Sequence, residues 1–134
     1  MLRYILDTDI CIYAIKSKPP ELREVFNRQS PHLCISAVTY AELVFGAEKS
    51  AHVERNLGVV ENFAARMPVL AFSEKASAHY GQIRAELERR GTPIGPYDLM
   101  ISGHARSEGL VLVTNNTREF GRVEGLRLEN WAHM

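Results

Sequence analysis

The chain has 134 residues, 46% of them hydrophobic and 24% charged, with a formal net charge of zero. That length suits one domain, 1–134, which buries roughly two-thirds of its unfolded surface, and the composition is ordinary for a soluble globular protein. No apolar run approaches the roughly 18 residues of a membrane-spanning helix, and neutral charge neither demands nor excludes a nucleic-acid partner.

The opening sets the pattern. Tyr4-Ile5-Leu6 reads as a short buried strand that runs straight into Asp7. Thr8 and Asp9 are good helix N-caps, and Ile10, Tyr13 and Ala14 follow at helical spacing. A strand that stops at a carboxylate and turns into a helix is the first half of a βαβ unit. In an open parallel sheet, ligands sit at that carboxyl edge. The opening has none of a signal peptide's basic-then-apolar layout, so a cytoplasmic protein is expected. Cys11 and Cys34 lie in apolar stretches, where buried thiols need no disulfide.

Pro19 and Pro20 introduce a second helix with the apolar stripe Leu22, Val25 and Phe26. Leu33-Cys34-Ile35 is a second strand, and Ser36 caps a helix running to about Ala47. Val53, Leu57, Val60, Ala64 and Met67 predict an amphipathic helix that Pro68 ends. Val69-Leu70-Ala71 reads as a third strand. Ser73 caps a helix closed by Gly91, and Gly95-Pro96 starts another that ends at Gly109. Leu110 to Val113 is the clearest buried strand, followed by the polar loop Thr114-Asn115-Asn116. Leu126 and Leu128 suggest an edge strand. Alternating strands and helices argue for a three-layer α/β/α sandwich with a mostly parallel central sheet.

Only three aspartates occur, Asp7, Asp9 and Asp98, and each falls at a helix start, where capping alone accounts for it. Glu42 is different. Val38, Thr39, Phe45 and Gly46 share its helical face, so its carboxylate points inward and needs a partner or a cation. No Lys or Arg lies between Pro31 and Glu48, which leaves a distant residue such as Arg84 to neutralise it. Together the acids suggest a site for a hard cation, Mg²⁺ with Mn²⁺ as a substitute, able to activate water against a phosphoryl group. There is no zinc-spaced His/Cys cluster, no P-loop and no GxGxxG after the first strand. The five histidines are scattered and read as surface or satisfied core residues.

Leu6-Asp7-Thr8-Asp9-Ile10 and Ile35-Ser36-x-Val38-Thr39-x-Ala41-Glu42-Leu43 with Gly46 resemble the PIN-domain ribonucleases. Gly95-Pro96-Tyr97-Asp98-x-x-Ile101 and Val113-Thr114-Asn115-Asn116-Thr117-Arg118-Glu119-Phe120 continue the match. Over nearly its full length the chain is similar to the VapC toxins of bacterial toxin–antitoxin pairs. That resemblance implies a PIN-like fold and a Mg²⁺-dependent endoribonuclease, with tRNA or another structured RNA as candidate substrates. It places Asp7, Glu42 and Asp98 at the metal-binding and catalytic positions. The fourth family acid falls in the loop after Thr114, where Asn116 stands in place of the usual Asp and Glu119 is the nearest acid. The resemblance also implies a VapB-like antitoxin, a toxin homodimer and a toxin–antitoxin hetero-oligomer, with no membrane partner.

Arginines make up 12 of the 16 basic residues, a bias suited to phosphate. Arg84, Arg118 and Arg122 are the candidate RNA contacts. Arg89 and Arg90 join them, although a Glu86–Arg90 pair on a solvated helix end explains those two equally well. The stripe at Leu22, Val25 and Phe26, beside Phe45, is the expected antitoxin groove. Two alternatives stand: Asp7-Thr8-Asp9 as the DxD of a haloacid-dehalogenase-type phosphatase, and a non-catalytic module that binds RNA or protein. The phosphatase reading lacks the Thr or Val expected where Cys11 stands, and its later paired acids.

Overall fold

In the computed structural model, which describes residues 1–132, five parallel strands form one sheet in the order β3-β2-β1-β4-β5. The last two positions of the expected domain, 133 and 134, lie outside the described residues. β1 (Tyr4–Leu6) is central, flanked by β2 (Leu33–Ser36) and β4 (Val111–Val113), with β3 (Val69–Leu70) and β5 (Leu128–Glu129) at the edges. Tyr4 pairs with Leu33 and Val111, and Ile5 with Cys34 and Leu112. Because β2 follows on one side of β1 and β4 arrives on the other, the order reverses at β1, and a crevice opens at its carboxyl end.

The central strands are buried on both faces, as a parallel sheet sandwiched by helices requires, while the edge strands β3 and β5 are partly exposed. Alternation divides them. Tyr4, Leu6, Leu33, Ile35 and Val113 pack with α1 (Thr8–Lys16), α2 (Pro20–Gln29), α3 (Ala37–Glu48) and α4 (Val53–Ala64). Ile5, Cys34 and Leu112 pack with Ile101 and Ala105 of α6 (Pro96–Glu108) and with Phe120, which ends α7 (Thr117–Phe120). α5 (Glu74–Arg89) lies on α6, with Ile83 and Leu87 against Leu99. The result is the expected three-layer α/β/α sandwich.

Gly103 sets how closely α5 approaches α6. A Cβ there would sit 2.7 Å from the Tyr80 backbone nitrogen and 2.9 Å from its Cα, so only glycine fits. No helix among the described residues is long and apolar enough to cross a membrane.

Three expectations are corrected. Asp7, not Thr8 or Asp9, is the N-cap of α1. Leu22 and Phe26 are core residues, 0% and 4% exposed, so most of the α2 stripe faces inward rather than forming an exposed apolar surface. Its hydrophobic residues fill the space between α2, α4 and the sheet instead. His104 is buried and only half satisfied: its Nδ1 lies 2.8 Å from Ser36 Oγ, while its Nε2 has no partner among the described residues.

Candidate active site

The crevice at β1 collects the acids. Asp7 follows β1 directly, and its N–H donates to Val113 O of β4 at 3.0 Å. Its Oδ1 accepts from the Ile10 N–H at 2.8 Å, closing the first turn of α1, and its Oδ2 accepts from the Thr114 hydroxyl at 2.5 Å. The side chain is 3% exposed. Burial pushes its carboxyl up to about 6, against the hydrogen bonds from Thr114 and Ile10, and the charges of Asp9 and Glu42 push the same way as burial.

Glu42 reaches the crevice from α3, whose N-cap Ser36 ends β2 and accepts from the Val38 N–H at 3.0 Å. Its Oε1 accepts from the Thr8 hydroxyl at 2.5 Å, tying α3 to the first turn of α1. Asp98 lies in the first turn of α6, positioned by Gly95 and Pro96. Burial raises its carboxyl to about 8, assisted by a hydrogen bond with Glu119 and by the charges of Glu119, Asp7 and Glu42.

Glu119 approaches from α7. Its Oε1 accepts from the Gly95 N–H at 3.1 Å and its Oε2 accepts from Asn116 Nδ2 at 3.4 Å. The bond with Asp98 comes first among the causes that hold its carboxyl below the ordinary range, and Arg122 contributes as well. The two carboxyls therefore titrate as a coupled pair, with Asp98 pushed up and Glu119 held down by the bond between them. Asn116 caps α7, its Oδ1 accepting from the Glu119 N–H at 3.3 Å.

Asp7, Glu42, Asp98 and Glu119 are thus electrostatically coupled, and Asn116 holds Glu119 in place. The ion pairs among the described residues are Arg84–Glu88 at 2.9 Å, Arg89–Glu86 at 3.3 Å and Arg90–Glu86 at 3.4 Å. None neutralises an acid of the crevice, and Arg84 is spent on its own helix, donating also to Tyr80 Oη at 2.9 Å. Arg122 braces the crevice by donating to Pro93 O at 3.0 Å, and Arg118 is exposed on α7. Sequence reading missed the hydroxyls of Thr8 and Thr114, and the lysines Lys16 and Lys49 that line clefts with Glu42. Thr114 had a signal: it is the first polar residue after the clearest buried strand.

The donor set is all oxygen. The one nearby thiol, Cys11, is fully buried and, through burial, raised far above the range in which it ionises. Among the described residues no three His, Cys, Asp or Glu side chains close on a single point. Mg²⁺ keeps several of its waters, so acids that do not close on one point could still hold it, some directly and some through those waters. A divalent ion would also relieve the repulsion that no side-chain cation offsets.

An α/β sheet with carboxylates gathered at its switch point has its site where such sheets bind ligands, and its oxygen donors are the kind that metal-assisted phosphodiester hydrolysis uses. Comparison with known proteins narrows this. The PIN domain profile matches residues 4–126. The tRNA(fMet)-specific endonuclease VapC of Shigella flexneri is 58% identical over 98% of this chain and 100% of its own length. Ribonuclease VapC2 of Rickettsia felis is 41% identical over 96% and 97%. The structure of DNA-bound VapBC from Salmonella typhimurium matches with a TM-score of 0.95, at 57% identity over 98% of this chain and 99% of that one. The chain belongs to the PIN-domain family and, within it, to the VapC ribonucleases. The phosphatase alternative falls with that result, and Asp7, buried and bonded through both oxygens, is not presented as a nucleophile.

Proposed function

We propose that the chain, as one domain spanning residues 1–134, is a cytoplasmic Mg²⁺-dependent endoribonuclease toxin whose metal is held by Asp7, Glu42 and Asp98. Glu119 supplies the fourth acid. The observation that carries this reading is the crowding of four carboxylates, none of them in an ion pair among the described residues, two of them with raised proton affinity. When bound, the ion would activate water and neutralise charge on the phosphoryl oxygens.

The chain's own residues prepare that chemistry. Thr114 and the Ile10 N–H fix the rotamer of Asp7, and Thr8 fixes that of Glu42. Asp98 would hold the cation as its carboxylate, since a ligand carboxylate must be ionised. Glu119 is already ionised and stays within hydrogen-bonding reach of Asp98. Arg118 and Arg122 flank this pair as candidate backbone contacts, Arg122 by its charge on Glu119 and Arg118 by its place in α7. Arg84 lines a cleft with Pro93 and Pro96 beside the start of α6.

The S. flexneri relative is named for tRNA(fMet), and 58% identity supports the same substrate here. The solved relatives from S. typhimurium and R. felis are VapBC complexes, which supports a VapB-like antitoxin as partner. Phe45 and Tyr97, 63% and 55% exposed, form an apolar face beside the crevice suited to the homodimer and the hetero-oligomer. The test is cleavage of initiator tRNA beside an elongator tRNA, in Mg²⁺ and in EDTA. Cleavage in Mg²⁺, lost in EDTA and in Asp98→Asn, is the expected result. Cleavage that survives EDTA refutes the metal assignment.

A further inference from the structure

Away from the acids, a cavity of about 470 Å³ opens between α2 and α4. Arg23 and Asn27, four residues apart on α2, face Asn62 and Arg66, four apart on and just after α4. Phe26 and Phe63 lie beneath, their rings 6.3 Å apart. Among the described residues neither arginine has a carboxylate partner. Two unpaired guanidinium forks backed by two amides, on a rigid aromatic floor, present the donors that a phosphate takes in bidentate fashion.

The cavity is one end of a continuous trough. Ile15 and Val59 line both it and the next cleft, which adds Lys16 and Asn56 and reaches Glu42. Ile12, Glu42 and Gly46 continue into a third cleft that holds Asp9, Lys49 and Tyr97. Lys49, Lys16 and the Arg23/Arg66 pair therefore recur along the trough, as phosphates recur along a nucleic-acid strand.

We propose that Arg23 and Arg66 form a second RNA subsite, a cradle for one or two backbone phosphates at a distance from the cut; this rests on the ribonuclease reading above. The distance follows from α1. Asp7 precedes its first residue and Ser17 ends it, so the nine-residue helix separates cradle from acids by about 14 Å. That is roughly two to four nucleotides of a single strand. A short RNA held at the acids cannot reach the cradle, whereas a longer one engages both.

The experiment measures binding of a single-stranded oligouridylate of about 12 nucleotides and of a trinucleotide, by fluorescence anisotropy in Mg²⁺. Asp98→Asn is carried in every protein to prevent cutting. Arg23→Gln with Arg66→Gln should weaken the longer RNA roughly tenfold or more and abolish the parent's preference for length. It should also lower the salt slope of log K by about 1.4, the share of two phosphates on a single strand. Arg55→Gln, on α4 but outside the cavity, is the control and should do neither. An unchanged length preference and salt slope in the double variant overturns the cradle. So does an equal loss for both RNAs. Oligoglutamate displaced from the parent, with RNA binding intact in the double variant, would make the cavity a site for acidic protein segments and likewise overturn it. Cleavage by the unsubstituted chain is measured alongside: failure to cut any RNA refutes the ribonuclease reading, whereas cutting with an ineffective double variant refutes only the cradle.

Discussion

Replacing Asp7 by Asn should stabilise the metal-free protein. Its carboxyl lies at about 6 where an ordinary aspartate lies at 3.8, a displacement of about two units. At about 1.4 kcal/mol per unit, the ionised side chain opposes folding by about 3 kcal/mol at neutral pH. Asn keeps the shape and still caps Ile10, since the two residues are near-equal N-caps. It loses the charge-assisted bond from Thr114, which returns about 1 kcal/mol. The net gain is therefore about 1–2 kcal/mol. For a domain of this size, that raises the melting temperature by about 4–7 °C. The direction with pH follows from linkage. A carboxyl raised in the folded state contributes stability that is fully present below its unfolded value and is lost as pH rises through about 6. The advantage of Asp7→Asn should accordingly be widest above pH 7 and close towards pH 4. Calorimetric melts of both proteins in EDTA, at pH 4.5 and 7.5, measure it. In millimolar Mg²⁺ the gap should narrow or reverse, because the parent gains more from binding. A variant no more stable than the parent at pH 7.5 in EDTA, with Mg²⁺ moving neither, would leave Asp7 a helix cap and remove the metal site.

Glu119→Gln should slow RNA cleavage more than Asn116→Ala, because only the first removes a charge from the pair with Asp98, while the second removes a cap of α7 and one bond to Glu119. Equal single-turnover rates for the two variants would mean that three acids suffice. Gly103→Ala should lower stability by about 2 kcal/mol or more, since its Cβ would meet Tyr80 backbone that cannot rotate away. A denaturant midpoint matching the parent's would show that α5 can move off α6 at little cost.

The elements of the fold were legible because local rules and the global arrangement agree. Strands buried on both faces read as apolar runs, Ser36 and Ser73 cap where they stand, and Gly91 and Gly109 take positive φ at helix ends. What the periodicity of α2 could not reveal is which surface its stripe meets. Leu22 and Phe26 have the spacing of a groove and of a core alike, and only the position of α4 and the sheet makes them core. His104 was equally opaque, because its partner Ser36 is 68 residues away and its unpaired Nε2 depends on packing with Phe72.

Asp7 shows why the candidate site was only half legible. Cap and ligand read as rivals in the sequence, yet two carboxylate oxygens let one side chain cap its helix and still bond across the sheet. Oδ1 closes a local turn that sequence displays, and Oδ2 meets Thr114 across 107 residues, which sequence does not. The same division separates Asn116 from Glu119. Both were candidates for one role, but capping fixes Asn116 on its own helix, and the freedom it gives Glu119 is the freedom to reach Asp98 and Gly95. Residues whose second partner lies on another strand become readable only through topology. Here the reversal of strand order at β1 brings Asp7 from the end of β1, Glu42 from the helix after β2, and Glu119 from the short helix after β4 to one edge. Asp7 and Glu119 are unremarkable in their own segments, and only Glu42 stands out, by the apolar face it shares. Burial is the main cause of the raised proton affinities of Asp7 and Asp98; the charges of the neighbouring acids add to it only where the segments converge, and that added repulsion is what a divalent cation would remove.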